Sequence, residues 1–145
     1  MQRGKINYPD RARQINDFSN MVYDGGITPT DIDGLIEYDD KCFIFFELKL
    51  DDAPLPGGQK KALVRLIDDL SKPAILIVAW HNVEDPSIDI DVSLAIVSRF
   101  YYGGKWYPRK HTITLRGLVD IFLKEHGGER FARYIANGAG PLNNP

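Results

Sequence analysis

Leu63, Leu66, Ile67 and Leu70 recur at i, i+3, i+4 and i+7, whereas CFIFF at 42–46 and AILIVAW at 74–80 run apolar almost without a break. The first rhythm predicts a helix over 59–70 with one buried face. The second predicts strands covered on both faces, because a sheet wetted on one side would alternate. The same reading extends to the rest of the chain. Residues 9–22 predict a first helix, with Pro9 in its first turn and Ile15, Phe18 and Val22 near one face. Strands are expected over 31–38 and 42–50, paired as a hairpin across the polar turn YDDK, and a further hairpin over 92–102 and 105–109 turning at Gly103-Gly104. A last helix is expected over 114–126, capped by Thr114 and bearing Leu115, Leu118, Val119 and Phe122 on one face, with Gly127 beyond its end. Helix, strand pair, helix, strand, strand pair, helix is the order of an α/β domain with a mixed sheet and helices on both faces.

The composition agrees with that class: 145 residues, 43% hydrophobic and 26% charged, suffice for one hydrophobic core. A single domain is expected over 1–136, with 137–145 as a flexible tail. Cys42 is the lone cysteine, which excludes an intrachain disulfide and argues against a cysteine-based zinc site. MQRGKINYPD carries no signal-like apolar run, and no run approaches the roughly 18 residues that span a bilayer. A cytoplasmic protein without a membrane partner is the expectation. Net charge is -2, so any nucleic-acid partner must be met by a local basic patch.

Charge enters most sharply where the second strand ends. Alternation puts Phe43, Phe45, Glu47 and Lys49 on one face and Ile44, Phe46, Leu48 and Leu50 on the other. Asp31 and Asp33 share a face of the preceding strand, and hairpin pairing brings Asp33 across from Glu47. Two carboxylates about 4 Å apart repel by about 4 kcal/mol at an effective dielectric of 20, a cost that calls for a cation. Lys49 supplies one charge, and a few hard oxygen ligands suit Mg²⁺ or Mn²⁺. Taken singly, a Glu-x-Lys at a strand end is more often a solvated edge, and Asp-x-Asp-Gly more often a turn.

Asp33, then Glu47-Leu48-Lys49 fourteen residues on, then a helix opened by Gln59, resembles the PD-(D/E)XK nuclease superfamily, in particular its small RecB-like and phage-type members. The resemblance spans residues 10–80 in motif and element order. It implies a restriction-endonuclease-like fold: a mixed central sheet flanked by helices, here followed by a C-terminal β-hairpin and helix. The family core includes a three-stranded meander, which requires a short strand in the loop before Asp31. Asp33 and Glu47 would bind Mg²⁺ together with the backbone carbonyl of Leu48, and Asp31 is a candidate further ligand. Lys49 would orient or help deprotonate the attacking water and stabilise the transition state, and Gln59 would position the lysine or the phosphate. The chain departs from the pattern in two places. Ile32 stands where the family's proline precedes the aspartate, and the first helix offers only Asp10, Asp17 and Asn20 in place of a further acidic residue.

Between Val92 and Val119 there is no acidic residue, while Arg99, Lys105, Arg109, Lys110 and Arg116 all fall there. Phe100, Tyr101, Tyr102, Trp106 and Tyr107 interleave with them. Such a hairpin suits DNA backbone contacts and base stacking, with Arg99, Lys105, Arg109 and Lys110 as the binding residues. Aromatics that pack the core are the equal alternative. GGQK at 57–60 and GGK at 103–105 lack the phosphate-loop pattern, and His111 and His126 have no metal spacing; His81 follows a buried strand within reach of the site, though a lone histidine is more often structural.

The function expected is a Mg²⁺-dependent DNA nuclease of replication, recombination or repair, acting as an exonuclease or a structure-selective endonuclease, in the host cytoplasm if phage-encoded. Alternatives are a Holliday-junction resolvase, for which a homodimer is expected, and a non-catalytic DNA-binding or protein-interaction module on a nuclease fold. A replication or recombination protein is the other partner considered.

Overall fold

The computed structural model describes residues 3–137, and they fall into two compact units, Met1–Asp31 and Ile32–Pro145. Apart from Asn137, the tail expected at 137–145 lies outside the described residues.

The first unit does not contain the helix expected over 9–22. Its helix α1 stops after one turn, Pro9–Ala12, and a 3₁₀ turn follows at Ser19–Met21. Two causes act together. Asp17 accepts the Ser19 N–H at 3.0 Å, a local bond that competes with helix propagation. Ile15, Phe18 and Val22, the supposed buried stripe, are exposed, and short helices draw most of their stability from a buried face. An isolated bridge joins Tyr23 and Ile27 across Gly25 and Gly26, both at positive φ. That bridge is the only β pairing among the described residues upstream of Asp31, so the third strand of the family meander is not formed there.

The second unit is built on a five-stranded mixed sheet whose spatial order equals its chain order: β1 (Gly34–Tyr38), β2 (Cys42–Leu50), β3 (Ala74–His81), β4 (Ile96–Tyr102) and β5 (Lys105–Pro108). β2 and β3 run parallel, with helix α2 (Gly57–Asp69) as their crossover; the other pairs are antiparallel. The hairpin between β1 and β2 turns through Asp39 and Asp40 in left-handed conformation, which aspartate tolerates better than most residues. Three strand limits differ from expectation. β1 starts at Gly34, not at 31. β4 starts at Ile96, because Val92–Leu94 is a 3₁₀ turn in which Asp91 accepts the Ser93 N–H at 3.1 Å. β5 ends at Pro108, which has no N–H to continue a ladder.

Helices cover both faces, as the apolar runs of β2 and β3 require. α2 sets Leu63 and Ile67 against Phe45, Leu76 and Val78. On the other face, helix α3 (Leu115–Lys124) sets Leu115, Leu118, Val119 and Phe122 against Ile44, Ile75, Ile77 and Val97. Thr114 caps α3 by accepting the Gly117 N–H at 3.1 Å. A helix not foreseen, α4 (Glu129–Ala136), adds Phe131 to this core, edge-on to the Phe122 ring at 5.1 Å. Each such buried side chain contributes about 1.5–3 kcal/mol relative to exposure.

One irregularity changes which way the side chains of β4 face. Val78 pairs with Arg99, but the next residue, Ala79, pairs with Val97, leaving Ser98 as a one-residue bulge in β4. Val97 and Phe100, three residues apart, therefore both enter the α3-side core, while Tyr101 enters the α2-side core.

Candidate active site

Alternation along β2 decides where its charges go. Ile44, Phe46 and Leu48 pack toward α3, and Phe43 and Phe45 toward α2, so Glu47 and Lys49 emerge on the α2 side. Glu47 is 1% exposed and is the one charged side chain in the buried class among the described residues. Burying a carboxylate costs several kcal/mol, so its surroundings must be organised to hold it.

Asp33 and Gln59 bond to it directly. Gly34 pairs with Phe46, which places Asp33, just beyond the end of β1, beside Glu47. A Cβ at Gly34 would lie 1.9 Å from the Phe46 ring, so only glycine lets that ring lie across the start of β1. The Asp33 N–H then donates to Glu47 Oε1 at 3.3 Å, and the Leu48 N–H donates to Asp33 Oδ2 at 2.7 Å. From α2, Gln59 Nε2 donates to Glu47 Oε2 at 3.0 Å, while Gln59 Oε1 accepts from Lys49 Nζ at 3.5 Å. Only this amide orientation serves both partners, since the carboxylate takes a donor and the ammonium takes an acceptor. Gln59 thus links the acid and the base through one rigid group. Hydrogen bonds to charged groups are worth about 1.5–3 kcal/mol each, enough to fix the four side chains in one arrangement.

The structure therefore brings Asp33, Glu47, Lys49 and Gln59 together. It does not extend β1 to Asp31, so the alternation that gave Asp31 and Asp33 a common face does not apply; Asp31 lies in the first unit. Among the described residues no set of three or more His, Cys, Asp and Glu side chains gathers as a metal cage. The oxygens present do fit a Mg²⁺-like ion, which is held by one or two carboxylates and otherwise by water and substrate. The Leu48 bond uses only Oδ2 of Asp33. The Leu48 carbonyl faces the same edge as its N–H, the edge where Asp33 stands.

The basic hairpin divides. Phe100, Tyr101 and Trp106 are buried, and Tyr102 donates its hydroxyl proton to the Gly127 carbonyl, so base stacking by these rings is replaced by core packing. Tyr107 is half-buried and stacked on Phe100, with ring centres 5.5 Å apart. Burial, with a hydrogen bond to Asp68, pushes the Tyr101 hydroxyl up to about 12. Lys105 is exposed. Lys110 Nζ sits 5.0 Å from the Tyr134 ring centre, Arg109 donates to the Val97 carbonyl at 3.2 Å, and Arg116 pairs with Asp120 at 2.9 Å. Arg99 is half-buried with its guanidinium 5.6 Å from the Trp106 ring centre. His81 accepts the Val83 N–H on Nδ1 at 3.1 Å, a local turn contact.

Two contributors escaped the sequence reading. Phe46 counted only as a core residue, although the glycine opposite hints at a covering ring. The bulge at Ser98 left no mark in the composition of VSRFYY. No protein-family model, no curated protein and no solved structure matches this chain.

Proposed function

We propose that the chain is a Mg²⁺- or Mn²⁺-dependent nuclease that hydrolyses phosphodiester bonds in DNA, on a restriction-endonuclease-like form of the mixed sheet. The observation that carries this reading is the network in which buried Glu47, Asp33 and Lys49 are tied together, with Gln59 bonded to both Glu47 and Lys49. A structural ion pair does not need an amide interposed between acid and base. A site that must keep both charged and separately aimed does.

Asp33, Glu47 and the Leu48 carbonyl would hold the ion. When bound, the ion polarises the phosphoryl group and makes water a better nucleophile. Lys49 offers a fixed ammonium to the negative charge that grows on the phosphoryl oxygens as the water oxygen bonds to phosphorus and the P–O bond to the leaving strand breaks. Gln59 holds that ammonium in place, and the buried position of Glu47 keeps its carboxylate from being screened by water. Arg99, Lys105, Arg109 and Lys110 would contact DNA phosphates, in a role in replication, recombination or repair.

The test is incubation of the protein with linear, circular, single-stranded and four-way-junction DNA in Mg²⁺, Mn²⁺ or EDTA. Metal-dependent cleavage is expected, reduced by at least about 10²-fold in Glu47→Ala and in Lys49→Ala at native circular dichroism. Cleavage that survives both substitutions removes the site assignment. Binding without cleavage of any substrate replaces the enzyme with a DNA-binding module.

A further inference from the structure

Arg99 stands apart from the other cations of the hairpin. Glu47, Val78 and Arg99 occupy one row across β2, β3 and β4. With strands about 4.8 Å apart, the backbones of Glu47 and Arg99 are about 10 Å from each other, a span that two long side chains and a phosphate between them can fill. The Ser98 bulge decides which way Arg99 points. In a regular strand Arg99 would share the face of Val97 and enter the α3-side core, where an unpaired guanidinium is untenable. The extra residue turns it instead onto the side of Tyr101 and Trp106, which is the side of Glu47 and Lys49.

The immediate surroundings of Arg99 look unfinished for a structural arginine. Trp106 supports one flat side of the guanidinium, and one terminal nitrogen donates to Ser98 Oγ at 3.3 Å. Ser98 lies toward the Ala79–Trp80 end of β3, and Lys49 pairs with Trp80 at that end. Arg99 Nε is buried and has no hydrogen-bond partner among the described residues. A buried donor left unmet calls for a physical explanation, and a ligand oxygen is one. A planar fork resting on an indole, with its Nε donor unmet, matches a phosphate's oxygens better than any ammonium could.

We propose that Arg99 is the phosphate-positioning residue of the Glu47–Lys49 site, and that the bulge at Ser98 serves to aim it there. The inference rests on the nuclease reading, and assigns Arg99 to the reacting region of the DNA strand rather than to general backbone grip.

The experiment compares wild type with Arg99→Met, which keeps the stem over Trp106 and loses the donors, Arg99→Lys, which keeps the charge and loses the fork, and Lys105→Ala. Steady-state cleavage of a linear duplex in Mg²⁺ is measured. Arg99→Met is expected to lower kcat about 10²-fold with KM within about threefold, Arg99→Lys to recover part of kcat, and Lys105→Ala to alter KM alone. An unchanged kcat in Arg99→Met, or a change confined to KM, overturns the proposal. Should Arg99→Met lose its native circular dichroism, Arg99→Lys is read by the same criterion. Should the wild type cleave nothing, the nuclease reading fails on its own. Arg99 is then judged by tryptophan fluorescence on adding a short oligonucleotide, where affinity lost in Arg99→Met and recovered in part in Arg99→Lys supports the phosphate role, and affinity unchanged in Arg99→Met overturns it.

Discussion

The end of β2 and the β4–β5 hairpin both carry conspicuous charge in the sequence, and the fold treats them in opposite ways. At the end of β2 a carboxylate is withdrawn from water and given fixed partners: Asp33, Gln59 and, through Gln59, Lys49. On the hairpin the aromatics sink into the two cores, while Lys105 and Lys110 stay at the surface. Exposed charges act through long-range, salt-screened attraction, whereas buried and hydrogen-bonded ones act through position. The difference separates a region where charge is held in one position from one where, Arg99 aside, the cations stay near the surface.

The sharpest way to break that contrast is Gly34→Ala. The added methyl must displace the Phe46 ring, an overpacking cost of about 1–3 kcal/mol, and it shifts Asp33 with it. Cleavage and thermal stability should fall together, and Phe46→Ala in the same chain should restore part of both. A Gly34→Ala protein of unaltered activity would detach Asp33 from the site. Smaller effects are expected on the hairpin. Lys105→Ala and Lys110→Ala should weaken DNA binding uniformly across sequences and each reduce the salt slope by about one ion, measured by titration at several salt concentrations. A slope left unchanged in both removes the hairpin from the DNA face. The smallest change concerns Tyr101, whose folded value near 12 stands above the ordinary value of 10.0. The folded state then holds its proton more tightly, so this contribution is complete below pH 10 and is lost as pH rises toward 12. Tyr101→Phe should flatten the alkaline loss of stability in that window, followed by urea unfolding, and leave cleavage at neutral pH alone.

Much of the site is legible from the chain because it depends on short-range rules. Strand alternation places Glu47 and Lys49 on one face, hairpin spacing sets Asp33 against Glu47, and the opening of an amphipathic helix delivers Gln59. Where the reading fails, the deciding force is not local. The apolar spacing of Ile15, Phe18 and Val22 predicts a buried face that these residues do not have. Phe131, Tyr134 and Ile135 form a helix whose eight residues would be marginal alone, and its stability comes from the α3-side core. The bulge at Ser98 reverses alternation within a strand, and nothing in Val97-Ser98-Arg99 announces it.

Asp33, Glu47, Leu48, Lys49 and Gln59 lie within 27 positions of one another in the chain, contributed by one hairpin and the helix that follows it. Contacts so close in sequence incur little loop-closure entropy and form early relative to pairings across a whole domain. Strands β4 and β5 come later in the chain and bring Arg99 and Lys105. An exchange of β4 and β5 would therefore replace Arg99 and Lys105 while leaving Asp33, Glu47, Lys49 and Gln59 together as one short continuous piece.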